Sequence, residues 1–129
     1  MNAGAVLFVK TNVPQTMFAF ECCNPVWGRT TNPYNDAYTC GGSSGGEAAL
    51  LAMDGSAAGI GSDIGGSLRI PAAYCGVYSL KPGSGRVSYI GARGKPFDVT
   101  CLIHAFHHRS VASVRGFDAI PAVAGPMGR

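Results

Sequence analysis

Gly41-Gly42-Ser43-Ser44-Gly45-Gly46-Glu47 and Gly59-Ile60-Gly61-Ser62-Asp63-Ile64-Gly65-Gly66-Ser67-Leu68-Arg69-Ile70-Pro71 decide how this chain is read. Each is a glycine turn that carries serine. A short apolar run, Ala48 to Met53, separates them at the length of one helix. Of 19 glycines, 12 fall between Gly41 and Gly85, so the unusual backbone demand is local. Consecutive glycines let N–H groups point to one side, because no Cβ blocks the required φ values. Such a nest carries partial positive charge and suits a developing oxyanion. A serine on the same tight turn is placed to attack an acyl carbon, and a second serine can relay its proton if the two turns meet.

The common alternatives fail at positions their chemistry requires. A phosphate loop has Gly41 and Gly46 at the right spacing, but Glu47 stands where lysine is needed. The dinucleotide fingerprint has one residue too many among Gly59, Gly61 and Gly65. Gly-x-Ser-x-Gly is absent, since Leu68-Arg69 follows Ser67.

Working outward, Ser44 to Asp54 predicts a helix. Ser44 and Glu47 form a Ser-x-x-Glu capping box, Ala48 to Met53 are strong helix formers, and Gly55 is the C-cap. Gly4 to Val9 predicts a buried strand. Gln15 to Phe20 reads as a helical turn or two. Glu21 to Thr39, punctuated by Asn24-Pro25 and Asn32-Pro33, reads as a long ordered loop. Ala57 to Ser62 has the small residues of a strand that passes close to another backbone. Ser67 to Tyr74 predicts a short helix, Val77 to Leu80 a strand, and Arg86 to Ile90 a weak extended segment.

Composition sets the bounds. The 129 residues suffice for one small domain, and 47% hydrophobic against 13% charged argues against disorder. Seven arginines and three lysines are scattered, so a net charge of +3 gives no nucleic-acid footprint. Five cysteines without C-x-x-C spacing argue against a disulfide framework or zinc site and for buried free thiols in a reducing compartment. A cytoplasmic protein is the expectation, as no segment approaches the roughly 20 apolar residues of a membrane span.

With these residues in place, the chain resembles the amidase signature family, most closely its fungal general amidases and fatty acid amide hydrolase branch. The resemblance rests on both glycine turns and on Gly4-Ala-Val-Leu-Phe-Val-Lys-Thr-Asn-Val-Pro-Gln15. It extends to Asn24-Pro-Val-Trp-Gly-Arg-Thr-Thr-Asn-Pro33, Tyr78-Ser-Leu-Lys-Pro82 and Ala124-Gly-Pro-Met127. The fold it implies is α/β, part of an amidase-signature α/β/α sandwich around a mixed central sheet. The activity it implies is hydrolysis of a small-molecule carboxamide to an acid plus ammonia or an amine, through an acyl-enzyme. By the same resemblance Ser67 is the nucleophile and Ser43, held by a cis peptide bond, is the bridging serine. Ile64, Gly65, Gly66 and Ser67 supply the oxyanion backbone, and Met17 lines the acyl channel. No metal or organic cofactor is implied, and homo-oligomers are compatible with the full-length enzyme.

The family's third catalytic residue is a lysine from an earlier strand. Lys10, the only lysine before Ser43, matches a non-catalytic position. The whole chain, 1–129, therefore reads as a fragment of one amidase-signature domain that lacks this lysine. Residues 94–116, with His104, His107 and His108, read as an insertion or retained non-coding stretch. Two rival readings are an inactive amidase-like fragment and an amidotransferase A-type subunit acting on glutamyl-tRNA.

Overall fold

The computed structural model describes residues 4–83 and 86–87. In chain order it has a single 3₁₀ turn, Gln15–Met17, and four short strands: β1 Cys23–Asn24, β2 Gly28–Arg29, β3 Thr31–Asn32 and β4 Asn35–Thr39. Two helices follow, α1 Gly45–Ala52 and α2 Arg69–Cys75. β1 pairs with β2 and β3 with β4, both antiparallel. No parallel pair occurs among the described residues.

The segment expected as one loop, Glu21 to Thr39, is thus two β-ribbons. The Asn-Pro pairs that suggested a loop are their turns. Asn24 Oδ1 accepts from the N–H of Val26 (3.0 Å) and Trp27 (2.8 Å). Asn32 Oδ1 accepts from the N–H of Tyr34 at 3.0 Å. In both, an asparagine side chain takes the place of a turn carbonyl. Gly4 to Val9, expected as a buried strand, pairs with no strand among the described residues. Val6, Leu7, Phe8 and Val9 are exposed there. An apolar run signals that a segment is to be buried; the pairing that makes it a strand comes from a partner. Ala57 to Ser62 also forms no strand, and Val77 to Leu80 contributes only an isolated bridge at Tyr78. Arg86 and Val87 are bends, and the rest of that predicted segment lies outside the described residues.

Both helices lie where the sequence placed them, but their ends differ. Ser44 is the N-cap of α1 with no side-chain cap bond, so the capping box does not form. Ser44 Oγ instead accepts from Ser62 N–H at 3.2 Å and lies 3.3 Å from Ser62 O, as donor. Glu47 accepts from Thr11 Oγ1 at 2.7 Å. Tertiary partners have replaced the local ones. At the other end Gly55 N–H donates to Leu50 O and Asp54 N–H to Leu51 O, at 2.9 and 3.0 Å. This is a Schellman closure, with Asp54 (φ 58°) rather than glycine in the left-handed position. In α2, Pro71 occupies the first turn, where a missing N–H breaks no helix bond. Gly76 (φ 66°) ends it.

The core is small and made of small side chains: Ala48, Ala49, Leu51 and Ala52 from α1 meet Ala72 and Cys75 from α2, with Leu68, Val77, Cys22 and Cys40. The helix is apolar almost all round, which fits burial on most sides. Small residues allow the connecting backbone to come close. A Cβ on Gly46 would lie 2.5 Å from Asn12 O and 2.6 Å from Asn12 N. Neither atom can yield without moving the 11–13 segment. Gly46→Ala is therefore expected to cost about 1–3 kcal/mol, read as a lower urea midpoint with an unchanged slope. An unaltered midpoint would contradict the close approach.

Candidate active site

The two glycine turns meet. Ser44 N–H donates to Ser67 C=O at 3.0 Å, which fixes the start of α1 against the turn that leads into α2. The Gly42–Ser43 peptide bond is cis. A Cβ on Gly42 would lie 2.5 Å from Ala19 O and 2.9 Å from Glu21 N, so this peptide is packed against the 19–21 backbone. Ser43 and Ser44 are buried, and Ser67 is half-buried.

Asp63 organises the second turn. Its carboxylate is wholly buried. Oδ1 accepts from Gly66 N–H at 2.7 Å and Arg69 Nη2 at 3.0 Å. Oδ2 accepts from Arg69 Nε at 2.9 Å, Leu68 N–H at 3.2 Å and Arg69 N–H at 3.3 Å. Burial alone would raise its pKa. The bidentate guanidinium and the three N–H donors outweigh that and hold the carboxyl well below the usual range. Gly66 takes φ +119°, a conformation that side-chain-bearing residues rarely adopt.

One of the four expected oxyanion donors is already engaged. The Gly66 N–H points at Asp63 Oδ1 and is engaged there. The Ile64, Gly65 and Ser67 N–H groups make no such bond to Asp63. Ile64 and Gly65 are exposed, and a Cβ on Gly65 would meet open space. Of the expected four, then, Gly66 serves as the anchor of the turn.

A cavity of about 280 Å³ opens on the Ser43 side, lined by Val9, Lys10, Met17, Ser43, Glu47 and Ile60 among others. Ser43 and Met17 both line it, and Ser67 does not; Ser67 is joined to the site through the Ser44 N–H. Thr16 and Met17 both have positive φ, 61° and 60°, so the backbone that presents Met17 is held in a sparsely populated conformation. No local motif signals the Ser44–Ser62 and Thr11–Glu47 bonds. The bracing role of Asp63 had one trace there, a short acidic residue just before Gly65-Gly66. Among the described residues no cluster of three or more His, Cys, Asp or Glu could hold a metal, and no helix is long and apolar enough to cross a membrane. The three histidines and the 94–116 segment lie outside the described residues.

Helices and antiparallel ribbons around two linked serine turns make this an α/β chain, and its fold is that of the amidase-signature enzymes. The Amidase family description matches residues 1–129, and the chain belongs to that family. It is 56% identical over 126 residues to an acetamidase of Aspergillus oryzae, covering 98% of this chain and 20% of that protein. It is 46% identical over 126 residues to fatty-acid amide hydrolase 1 of Sus scrofa, covering 98% of this chain and 19% of that one. The solved structure of 6-aminohexanoate cyclic dimer hydrolase complexed with substrate matches 97% of this chain and 26% of its own. The TM-score is 0.86 at 35% identity. The chain spans about a fifth of the length of the curated relatives it matches.

Proposed function

We propose that this chain carries the serine half of an amide-hydrolase site that works by a Ser–cis-Ser–Lys mechanism. The observation that supports it most is the 3.0 Å bond from Ser44 N–H to Ser67 C=O, which holds the turn of Ser43 against the turn of Ser67. In this reading Ser67 Oγ attacks the carboxamide carbon, and its proton passes to Ser43. Ser43 hands a proton toward the departing nitrogen, so that ammonia or an amine leaves and an ester to Ser67 remains. Water then cleaves the ester. The free N–H groups of the Ile64–Ser67 turn receive the oxyanion in both halves. A turn fixed beforehand costs no reorganisation at the moment of attack.

In this reading the base that starts the relay is a lysine that precedes the Gly4–Val9 segment. Lys10 shares a cavity with Ser43 but matches a non-catalytic position. The 129-residue chain by itself is accordingly expected not to turn over acetamide or an anilide at an appreciable rate. Steady hydrolysis by the chain, lost on Ser67→Ala, would show that no outside lysine is needed. A fluorophosphonate is the test of the nucleophile: in the whole enzyme it should label Ser67, and stoichiometric label on any other residue would overturn the assignment. A small-molecule amide is the substrate class this supports, and cytoplasmic residence stays part of the proposal.

A further inference from the structure

Three of the cysteines lie under the Ser43 turn, and no step of the proposed mechanism uses them. Cys22, Cys40 and Cys75 are all wholly buried free thiols, whereas Cys23 is exposed. Cys75 Sγ donates to Cys40 O at 3.5 Å, so it faces a carbonyl. Cys22 and Cys40 face each other. A Cβ on Gly45 would lie 2.7 Å from Cys40 Sγ and 3.3 Å from Cys22 Sγ, so a single methyl-sized space touches both sulfurs. The first residue of α1 must be glycine for the pair to fit.

We propose that Cys22 and Cys40 are an oxidisable dithiol, a modification site that a peroxide converts to a disulfide. Both sulfurs donate to carbonyls: Cys22 Sγ to Asn12 O at 3.1 Å, and Cys40 Sγ to Thr30 O at 3.2 Å and Gly41 O at 3.5 Å. The Cys40 thiol beside it, together with the Gly46 and Gly45 N–H groups, lowers the Cys22 pKa against the effect of burial. The same pairing raises Cys40. The reaction can start at either sulfur of the pair, here that of Cys22. Its thiolate attacks one peroxide oxygen, the O–O bond breaks, and a sulfenic acid forms as water leaves. The Cys40 thiol then attacks that sulfur, the S–O bond breaks, and a second water carries away the oxygen. Two thiols and one hydrogen peroxide become one disulfide and two waters.

The position gives the link a consequence. Cys22 Sγ also sits 3.7 Å from Ser43 O, and Cys40 is three residues before Ser43. The disulfide fastens the 19–24 segment to the turn that it packs against. It does not depend on whether the whole protein hydrolyses amides.

The test uses the full chain with Cys23→Ser, which removes the exposed neighbour. The protein is treated with hydrogen peroxide in native buffer, remaining thiols are blocked with a maleimide, and peptides are mapped without reduction. Trypsin separates the two cysteines at Arg29. The expected result is a dominant Cys22–Cys40 linked peptide, with Cys75 carrying the maleimide. That peptide should disappear in Cys22→Ser, in Cys40→Ser and after dithiothreitol. Maleimide on both Cys22 and Cys40 after peroxide would overturn the proposal. So would a native-buffer pattern no more selective than that obtained in urea.

Discussion

Ser67→Ala in the whole enzyme is expected to lower kcat/KM for a simple amide by about 10⁴-fold or more. The methyl group cannot form the acyl-enzyme, and no other hydroxyl lies in the Ile64–Ser67 turn. Folding should change little. The hydroxyl of Ser67 makes no hydrogen bond among the described residues, and its structural contribution is the backbone carbonyl that accepts from Ser44 N–H. The measurement that separates catalysis from folding is therefore a pair: steady-state kinetics beside a urea midpoint. A large loss of rate with an unshifted midpoint supports the nucleophile. A rate within about tenfold of the parent would remove Ser67 from that role. Ser43→Ala should also lose most of the rate, because the relay is broken while the nucleophile remains.

Asp63→Ala is expected to produce the largest loss of stability, about 3 kcal/mol or more. It removes both carboxylate oxygens that accept from the turn at once. Gly66 N–H and Leu68 N–H belong to buried residues and would be left unsatisfied, at about 1–3 kcal/mol for each such group. Asp63→Asn retains the volume and one acceptor oxygen, so its cost is smaller. The exposed Arg69 guanidinium can return to water and adds little. The pH dependence follows from the depressed carboxyl pKa. A carboxylate whose folded value lies below its unfolded value of 3.8 stabilises fully above that value. The stabilisation is lost as pH falls through the range between the unfolded and folded values. The urea midpoint should drop between neutral pH and pH values below the ordinary carboxylate range, and the Asp63→Ala variant should lack that part of the drop. Equal acid sensitivity in both proteins would count against the brace. Because Asp63 holds the turn rather than the substrate, its loss should impair catalysis through misplaced Ser67 and N–H donors.

The two glycine turns were legible because both position and residue type are written locally. Nothing but glycine suits Gly66 at φ +119°, and Ala48 to Ala52 form a helix on propensity and burial alone. The ends of that helix were less legible. Ser44 and Glu47 have the residues of a capping box, yet Ser62 and Thr11, distant in sequence, offer partners that the local motif does not. Glu21 to Thr39 forms two ribbons rather than the expected loop for a related reason. Two-residue strands are too short to show alternation, and Asn-Pro marks a turn without saying whether strands flank it.

Residue type at fixed local spacing is enough to set the family, the α/β class and the serines in their glycine turns. Tertiary structure alone decided that Ser44 N–H reaches Ser67 C=O, that Asp63 claims the Gly66 N–H, and that Cys22 meets Cys40. Those contacts join residues 23, 3 and 18 positions apart along the chain. The first and last need the helices and ribbons to close around one core. The middle one is short, but only burial of the carboxylate, with Arg69 folded back over it, makes Gly66 N–H its partner.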